Sequence, residues 1–265
     1  MFYNLIESKI NVNGLETDYI SFGFGQKPLI MIQGLNTNRI RGAGLGLAYA
    51  YRIFAKDFKV YLFDRRPEIN GGITVRDMAG DIAVAMDNLK IKKAYILGVS
   101  QGGMIAQYLA AERSDLVERL ALAVTLSGTN KTVETCINGW IEMTEKEDYM
   151  SLVTDMAEKM YSPRYLKKYR PLLPLLTLVQ KPKDKERFIT LAKSCLTCEA
   201  YNELDKITCP TLVIGGAEDK IVGKEASIEL AEKLGCEIYI YEGLGHALYE
   251  ESPDFNKRIY DFFTK

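Results

Sequence analysis

The sequence predicts an α/β fold, with a mostly parallel central sheet carrying helices on both faces and a helical cap inserted between two of its strands. Three observations support this. Short apolar runs without polar alternation recur between helical stretches, as strands buried on both faces require. The rhythm stops between about 130 and 205, where helical segments bearing Lys and Met appear with Pro163, Pro171, Pro174 and Pro182. It resumes with two further apolar runs and a last helix. Residues 1–129 and 206–265 thus read as the core, and 130–205 as the inserted cap.

The first element is a hairpin, because Asn13-Gly14 separates the alternating runs "NLIESKINV" and "LETDYISFG". Buried strands follow at "PLIMIQG", "FKVYLFD", "KAYILGVS" and "ERLALAVTLSG", with helices near 40–56, 75–89 and 101–112. Gly42, Gly44 and Gly46 lack the G-x-G-x-x-G spacing of a dinucleotide loop, so they read as close packing or a flexible helix start. "CPTLVIGG" and "CEIYIYEG" supply the last strands. Ser252-Pro253 then offers an N-cap and first turn, ahead of a helical stripe of Phe255, Ile259, Phe262 and Phe263.

With 265 residues, 47% hydrophobic and 26% charged, and a net charge of −1, the chain is neither disordered nor collagenous, and no nucleic-acid partner is expected. No apolar run approaches the roughly 20 residues of a membrane span. "MFYNLIESKINVNG" lacks a basic region followed by an apolar one, so a cytoplasmic location without a membrane partner is expected. Five cysteines, odd in number and irregularly spaced, fit reduced thiols. Cys195-x-x-Cys198 has no second pair and no nearby histidine, so packed or idle thiols are expected, and no metal site.

Chemistry enters at Gly98-Val99-Ser100-Gln101-Gly102, between an apolar strand and a helix with Met104, Ile105, Tyr108 and Leu109 at helical spacing. That context is what the G-x-S-x-G nucleophile elbow demands; the bland reading is a tight strand-to-helix turn. A serine hydroxyl needs a base, and His246, in a loop past the last strand, is the chain's only histidine. An imidazole in this role needs an orienting carboxylate. After "TLVIGG" either Asp219 or Glu218 can serve. Asp219 is preferred because one further residue lets the loop turn back, with Asp205 a distant third and a solvated acidic turn the bland reading.

In "GVSQGGMIAQ", "CPTLVIGGAEDKIV" and "GHALYEESPDFN" the chain resembles α/β-hydrolase-fold enzymes, in the cap-bearing esterase, lactonase and cofactor-free haloperoxidase-like group. The order Ser100, Asp219, His246 is that group's order, and the resemblance spans nearly the whole length. It implies no cofactor, and an oxyanion hole made by the backbone N–H groups of Leu35 and Gln101. One departure is Gln33-Gly34, where the family commonly has His-Gly. Asn36 is a candidate polar contact or a simple turn residue, and Asp64, Arg65 and Arg66 in "FDRRPEINGG" read as structural braces.

The expected function is a serine hydrolase that cleaves a small-molecule ester or lactone through an acyl-enzyme. The alternatives are a signal receptor or regulatory binding module with slow turnover, and a cofactor-free perhydrolase. A serine at the elbow argues against dehalogenases and epoxide hydrolases of this fold, which attack through an aspartate. Trp140, Met143, Met160, Tyr161 and Tyr165 are candidate pocket residues, with internal packing the bland reading for most. Between Lys159 and Arg187, nine basic residues face two acids, a local charge of +7. This segment reads as a solvated cap face, or as a patch that steers an anionic substrate or acyl-carrier partner.

Overall fold

The structure is a computed structural model describing residues 2–69 and 71–265; Met1 and Asn70 lie outside the described residues. Among these, eight strands form one sheet: β1 (Ile6–Val12), β2 (Leu15–Phe22), β3 (Lys27–Ile32), β4 (Phe58–Phe63), β5 (Ala94–Val99), β6 (Val117–Ala123), β7 (Thr211–Gly216) and β8 (Glu237–Tyr241). Their order is β1-β2-β4-β3-β5-β6-β7-β8. β2 runs antiparallel to β1 and β4, and every later neighbouring pair is parallel. The hairpin turns at Asn13 (φ 53°) and Gly14 (φ 86°), the positive pair that a two-residue type I′ turn requires.

The central strands lack polar alternation because both their faces are covered. Ile30, Ile32, Ile96, Leu120 and Leu122 face one core, with α2 (Val75–Asn88) and α3 (Gln101–Glu112). Leu29, Met31, Leu97, Val99, Ala121 and Ala123 face the other, with α1 (Gly44–Ala50) and α11 (Phe255–Thr264). α2 begins at a capping box: Thr74 Oγ1 accepts from Asp77 N, and the Asp77 carboxylate accepts from Thr74 N.

Two helix expectations need correction. The helix expected near 40–56 is only α1 and a 3₁₀ turn at Arg52–Phe54. Its intended first turn is instead a loop in which the Glu7 carboxylate accepts from Gly42 N and Gly44 N, both at 2.9 Å. Gly42 there has φ +85°, a Cβ on Gly44 would lie 2.4 Å from Glu7 Oε1, and Gly46 has open space. α11 begins at Phe255, with Asp254 rather than Ser252 as its N-cap residue. Ser252 Oγ donates to Asp254, whose carboxylate also accepts from Tyr241 and Arg258. The four stripe residues of α11 are buried as expected.

Between β6 and β7 come α4 (Lys131–Glu145), α5 (Tyr149–Met160), α6 (Pro163–Tyr169), α7 (Leu173–Gln180) and α8 (Lys185–Cys195). α4 packs on α5 and α8, and α5 packs on α7. A buried ion pair ties this insertion to the sheet: Arg187 Nη2 of α8 lies 3.0 Å from Asp64 Oδ1, just after β4. Arg187 Nη1 donates to Arg66 O at 2.8 Å. After β7 the chain continues through α9 (Lys224–Leu234), β8 and the short α10 (Leu248–Glu251). Among the described residues no helix is long and apolar enough to cross a membrane.

Removing one partner of a buried pair strands the other charge. Arg187→Met is therefore expected to cost roughly 3–5 kcal/mol in urea unfolding, whereas the exposed Lys183→Ala should stay within about 0.5 kcal/mol of wild type.

Candidate active site

Ser100 sits between the end of β5 and the start of α3 with φ 55° and ψ −123°, a backbone conformation costing a non-glycine residue roughly 1–3 kcal/mol. The surroundings hold it there. Ser100 N donates to Ala123 O, and Ser100 O accepts from Gly103 N and Thr125 Oγ1, each at 2.8 Å. The neighbouring glycines permit the close approach. A Cβ on Gly98 would lie 2.6 Å from Gly102 O, one on Gly102 1.9 Å from Ile32 O, and one on Gly103 2.6 Å from Thr125 Cβ.

The acid and histidine loops are sewn together beside this turn. Ala217 N donates to Tyr241 O and Glu218 N to Leu244 O, both at 3.0 Å. A Cβ on Gly216 would lie 2.5 Å from Gly245 O. His246 is thereby held 97% buried. Its Nε2 lies 2.9 Å from Ser100 Oγ and its Nδ1 2.8 Å from Asp219 Oδ2. Asp219 Oδ1 accepts from Ile221 N (2.8 Å) and Val222 N (3.0 Å). Glu218 contributes only backbone there and its side chain is exposed, while Asp205 pairs with Lys233 elsewhere.

Burial works to raise the Asp219 pKa, but the charge and hydrogen bond of His246 and the two backbone N–H groups outweigh it, holding the carboxyl below its ordinary range. An ionised Asp219 fixes a proton on Nδ1 and leaves Nε2 free to accept the serine proton. The arrangement can generate a serine alkoxide equivalent and stabilise the imidazolium that results.

The Gly34-Leu35 turn passes directly over the serine: a Cβ on Gly34 would lie 3.1 Å from Ser100 Cβ. Gln101 opens α3, so its N–H belongs to the helix start, which has no intrahelical acceptor. Arg65, expected as a structural brace, makes contacts that reach both segments. Arg65 Nη2 donates to Gln33 O (2.7 Å) and Gln101 Oε1 (3.3 Å). Gln101 Nε2 donates to Leu191 O (2.8 Å) and Ser194 Oγ (3.1 Å) of α8. Burial lowers the Arg65 pKa to about 10, with Asp64 opposing the shift and Arg187 adding to it. Gln33 thus engages through its carbonyl, and its side-chain Nε2 is buried without a partner among the described residues.

Beside the serine is a small cavity of about 40 Å³, lined by apolar groups including Trp140, Met156, Met160 and Ile221. A more open cavity of about 290 Å³ shares Leu35, Met156, Met160 and Tyr249 with it, and adds Asn36, Tyr161 and Glu250. Trp140 therefore faces the inner cavity while its Nε1 donates to Asp155 Oδ2 at 2.7 Å. Asn36 and Tyr161 face the outer one, and Tyr161 OH donates to Glu250 Oε2 at 2.6 Å. Met143 lines neither cavity and packs against the core, and Tyr165 stacks on Tyr161 at 4.8 Å. Met156 is one apolar residue among several at helical spacing in α5, and Tyr249 lies in the short α10, so neither carries a sequence signal that marks it as cavity lining.

Cys195 borders the inner cavity, but burial pushes its thiol up to about 12. Cys198 is also buried, and both thiols are free. The basic window is less uniform than its charge sum. Arg187 is the buried partner of Asp64, while Lys159 and Lys185 pair with Asp155 and Glu147.

The model of the alpha/beta hydrolase fold family matches residues 27–253. The chain belongs to that family. Its relatives include a Rhizobium rhizogenes protein provisionally named a carbamate hydrolase, 24% identical over 246 residues, which span 89% of this chain and 92% of the relative. A 3-oxoadipate enol-lactonase of Acinetobacter baylyi is 20% identical, covering 78% of this chain and 79% of its own. Among solved structures, the enol-lactonase from Burkholderia xenovorans superposes with a TM-score of 0.84 at 23% identity, over 97% of this chain and all of its own.

Two outcomes are expected from this geometry. Gly102→Ala drives a methyl group into the Ile32 carbonyl and should cost at least about 3 kcal/mol in urea unfolding, whereas Gly46→Ala should be neutral or slightly stabilising. Because the folded pKa of Asp219 lies below its unfolded value near 3.9, its contribution is full above that value and lost as pH falls through the lowered pKa. The stability gap between wild type and Asp219→Asn should therefore be present at neutral pH and shrink below about pH 4.

Proposed function

We propose that the chain is a serine hydrolase that cleaves a small carboxylic ester or lactone through an acyl-enzyme. The observation that carries this reading is the unbroken hydrogen-bonded line Ser100, His246, Asp219, built on the chain's only histidine. Ser100 Oγ attacks the carbonyl carbon as its proton passes to His246 Nε2. The carbonyl oxygen becomes an oxyanion facing the N–H groups of Leu35 and Gln101. Such donors each contribute on the order of 10²–10³ in rate. The tetrahedral centre collapses, the bond to the leaving oxygen breaks, and the imidazolium gives that oxygen its proton. In a lactone the released alcohol stays tethered to the acyl group. Water then attacks the acyl carbon with His246 taking its proton, and Ser100 regains a hydrogen as the acid departs.

The inner cavity supports a short apolar acyl group. Its volume of about 40 Å³ is far below the roughly 300–1,000 Å³ of pockets for drug-sized ligands. The larger outer cavity suits the leaving group. In this reading residues 130–205 act as a cap, closing the site with Trp140, Met156 and Met160. The names of the lactonase and carbamate hydrolase relatives support acyl transfer on compact substrates.

The test is hydrolysis of p-nitrophenyl acetate and of small lactones. Ser100→Ala and His246→Ala should each lower kcat/KM by roughly 10⁴-fold or more, and Asp219→Asn by roughly 10³–10⁴. Near-wild-type rates in a folded Ser100→Ala or His246→Ala protein would sink the mechanism. The small inner cavity also fits a binding module that holds its ligand, which would release about one equivalent of nitrophenol and then stall; sustained turnover is the result expected here.

A further inference from the structure

One helix of the insertion does not behave as a surface helix should. α7, "LPLLTLVQ", is apolar all round. Its inward side is accounted for, since Leu173 and Thr177 are buried and Thr177 Oγ1 lies 3.5 Å from Met150 Sδ of α5. The outward side is equally aliphatic, with Leu175, Leu178 and Val179 exposed by 61%, 67% and 65%. Leu172, in the turn before it, is 47% exposed. Positions 172, 175 and 179 follow the spacing i, i+3, i+7, so they form one continuous stripe. Scattered exposed leucines are ordinary, but a contiguous aliphatic stripe marks an interaction surface.

Charge selects the partner. Lys167 and Lys168 precede the helix and Lys181 and Lys183 follow it, all four exposed and none of them held in an ion pair among the described residues. An apolar stripe between lysines matches an anionic lipid surface, where aliphatic groups enter the acyl boundary and ammonium groups meet the phosphates. A symmetric contact with a second copy would set the same lysines against their symmetry mates. A protein partner is less well matched, because the stripe holds only Leu and Val, without the Trp, Tyr or Arg anchors that dominate protein hot spots. The stripe also ends beside the outer cavity: Asn38 Nδ2 donates to Val179 O at 3.3 Å, and Gln180 lines that cavity.

We infer that α7 and its flanking lysines form a docking face for an anionic bilayer surface, which sets the mouth of the cavity at the lipid boundary. That no helix among the described residues is long and apolar enough to cross a membrane bears on insertion and not on surface docking.

Co-sedimentation of the full chain with vesicles tests this. Wild type should bind phosphatidylcholine vesicles containing phosphatidylglycerol, should not bind phosphatidylcholine alone, and should be released by added salt. Leu175→Gln with Leu178→Gln should weaken binding by roughly tenfold or more, as should Lys167→Glu with Lys168→Glu. Both double variants should hydrolyse a water-soluble ester at the wild-type rate, which separates the docking face from the reaction site. The inference is overturned if wild type ignores the anionic vesicles, or if both variants bind as wild type does. It is also overturned if wild type dimerises in sedimentation velocity and the leucine variant does not, since a second copy would then cover the stripe.

Discussion

The strained turn at Ser100 is the constraint on which the rest of the site depends. A left-handed serine between β5 and α3 lifts its hydroxyl clear of the sheet, and it persists only because backbone groups from β6 and α3 hold it on both sides. That turn in turn demands three glycines, each standing where a methyl group would strike the neighbouring chain. Close approach also sets the position of the other loops. β3 must end where Gly34 can pass over the serine, and Gly216 must let the histidine loop lie against the acid loop. The site is therefore a consequence of backbone packing at the ends of five neighbouring strands, with the side chains added last.

The insertion and the sheet meet through polar groups as well as apolar ones. Asp64 accepts from Arg187 of α8, and Arg65 links Gln33 to Gln101, whose amide continues to Leu191 and Ser194 of α8. Of these two buried guanidinium groups only that of Arg187 pairs with the Asp64 carboxylate, which Arg65 meets through its backbone N–H, and burial draws the pKa of both downward. This arrangement is costly to build and costly to break, which suits fixing one orientation of the insertion better than adding stability. It also places α8 in direct contact with the residue that follows Ser100. Any displacement of the insertion would be felt at Gln101.

Much of this was legible in the residues alone, for physical reasons that differ by element. The sheet was readable because strands covered on both faces carry uninterrupted apolar runs. The serine turn was readable because only glycine tolerates its contacts. Asp219 was separated from Glu218 by reach, and the structure adds the two backbone N–H groups that hold its second oxygen. What escaped was decided by competition between equivalent groups. Ser252 and Asp254 are both cap-type residues, yet the helix begins after Asp254 without a side-chain cap bond, because the Asp254 carboxylate is taken up by Ser252, Tyr241 and Arg258. Glu7, far away in sequence, claimed the amides that would have begun an earlier α1. Met143, Met156 and Met160 carry the same periodic signal, and only tertiary packing assigns the latter two to the cavities. The charge sum over 159–187 likewise could not distinguish the buried Arg187 from the exposed Lys181.

In the proposed reaction His246 makes Ser100, and Ser100 alone, a nucleophile. Labelling with an alkyl fluorophosphonate, followed by peptide mass spectrometry, tests it without any assumption about the natural substrate. Wild type should take up one phosphonate per chain, on Ser100, and His246→Ala should label more slowly by several orders of magnitude. Equal labelling rates in the two proteins, or a label on any other residue, would contradict the account.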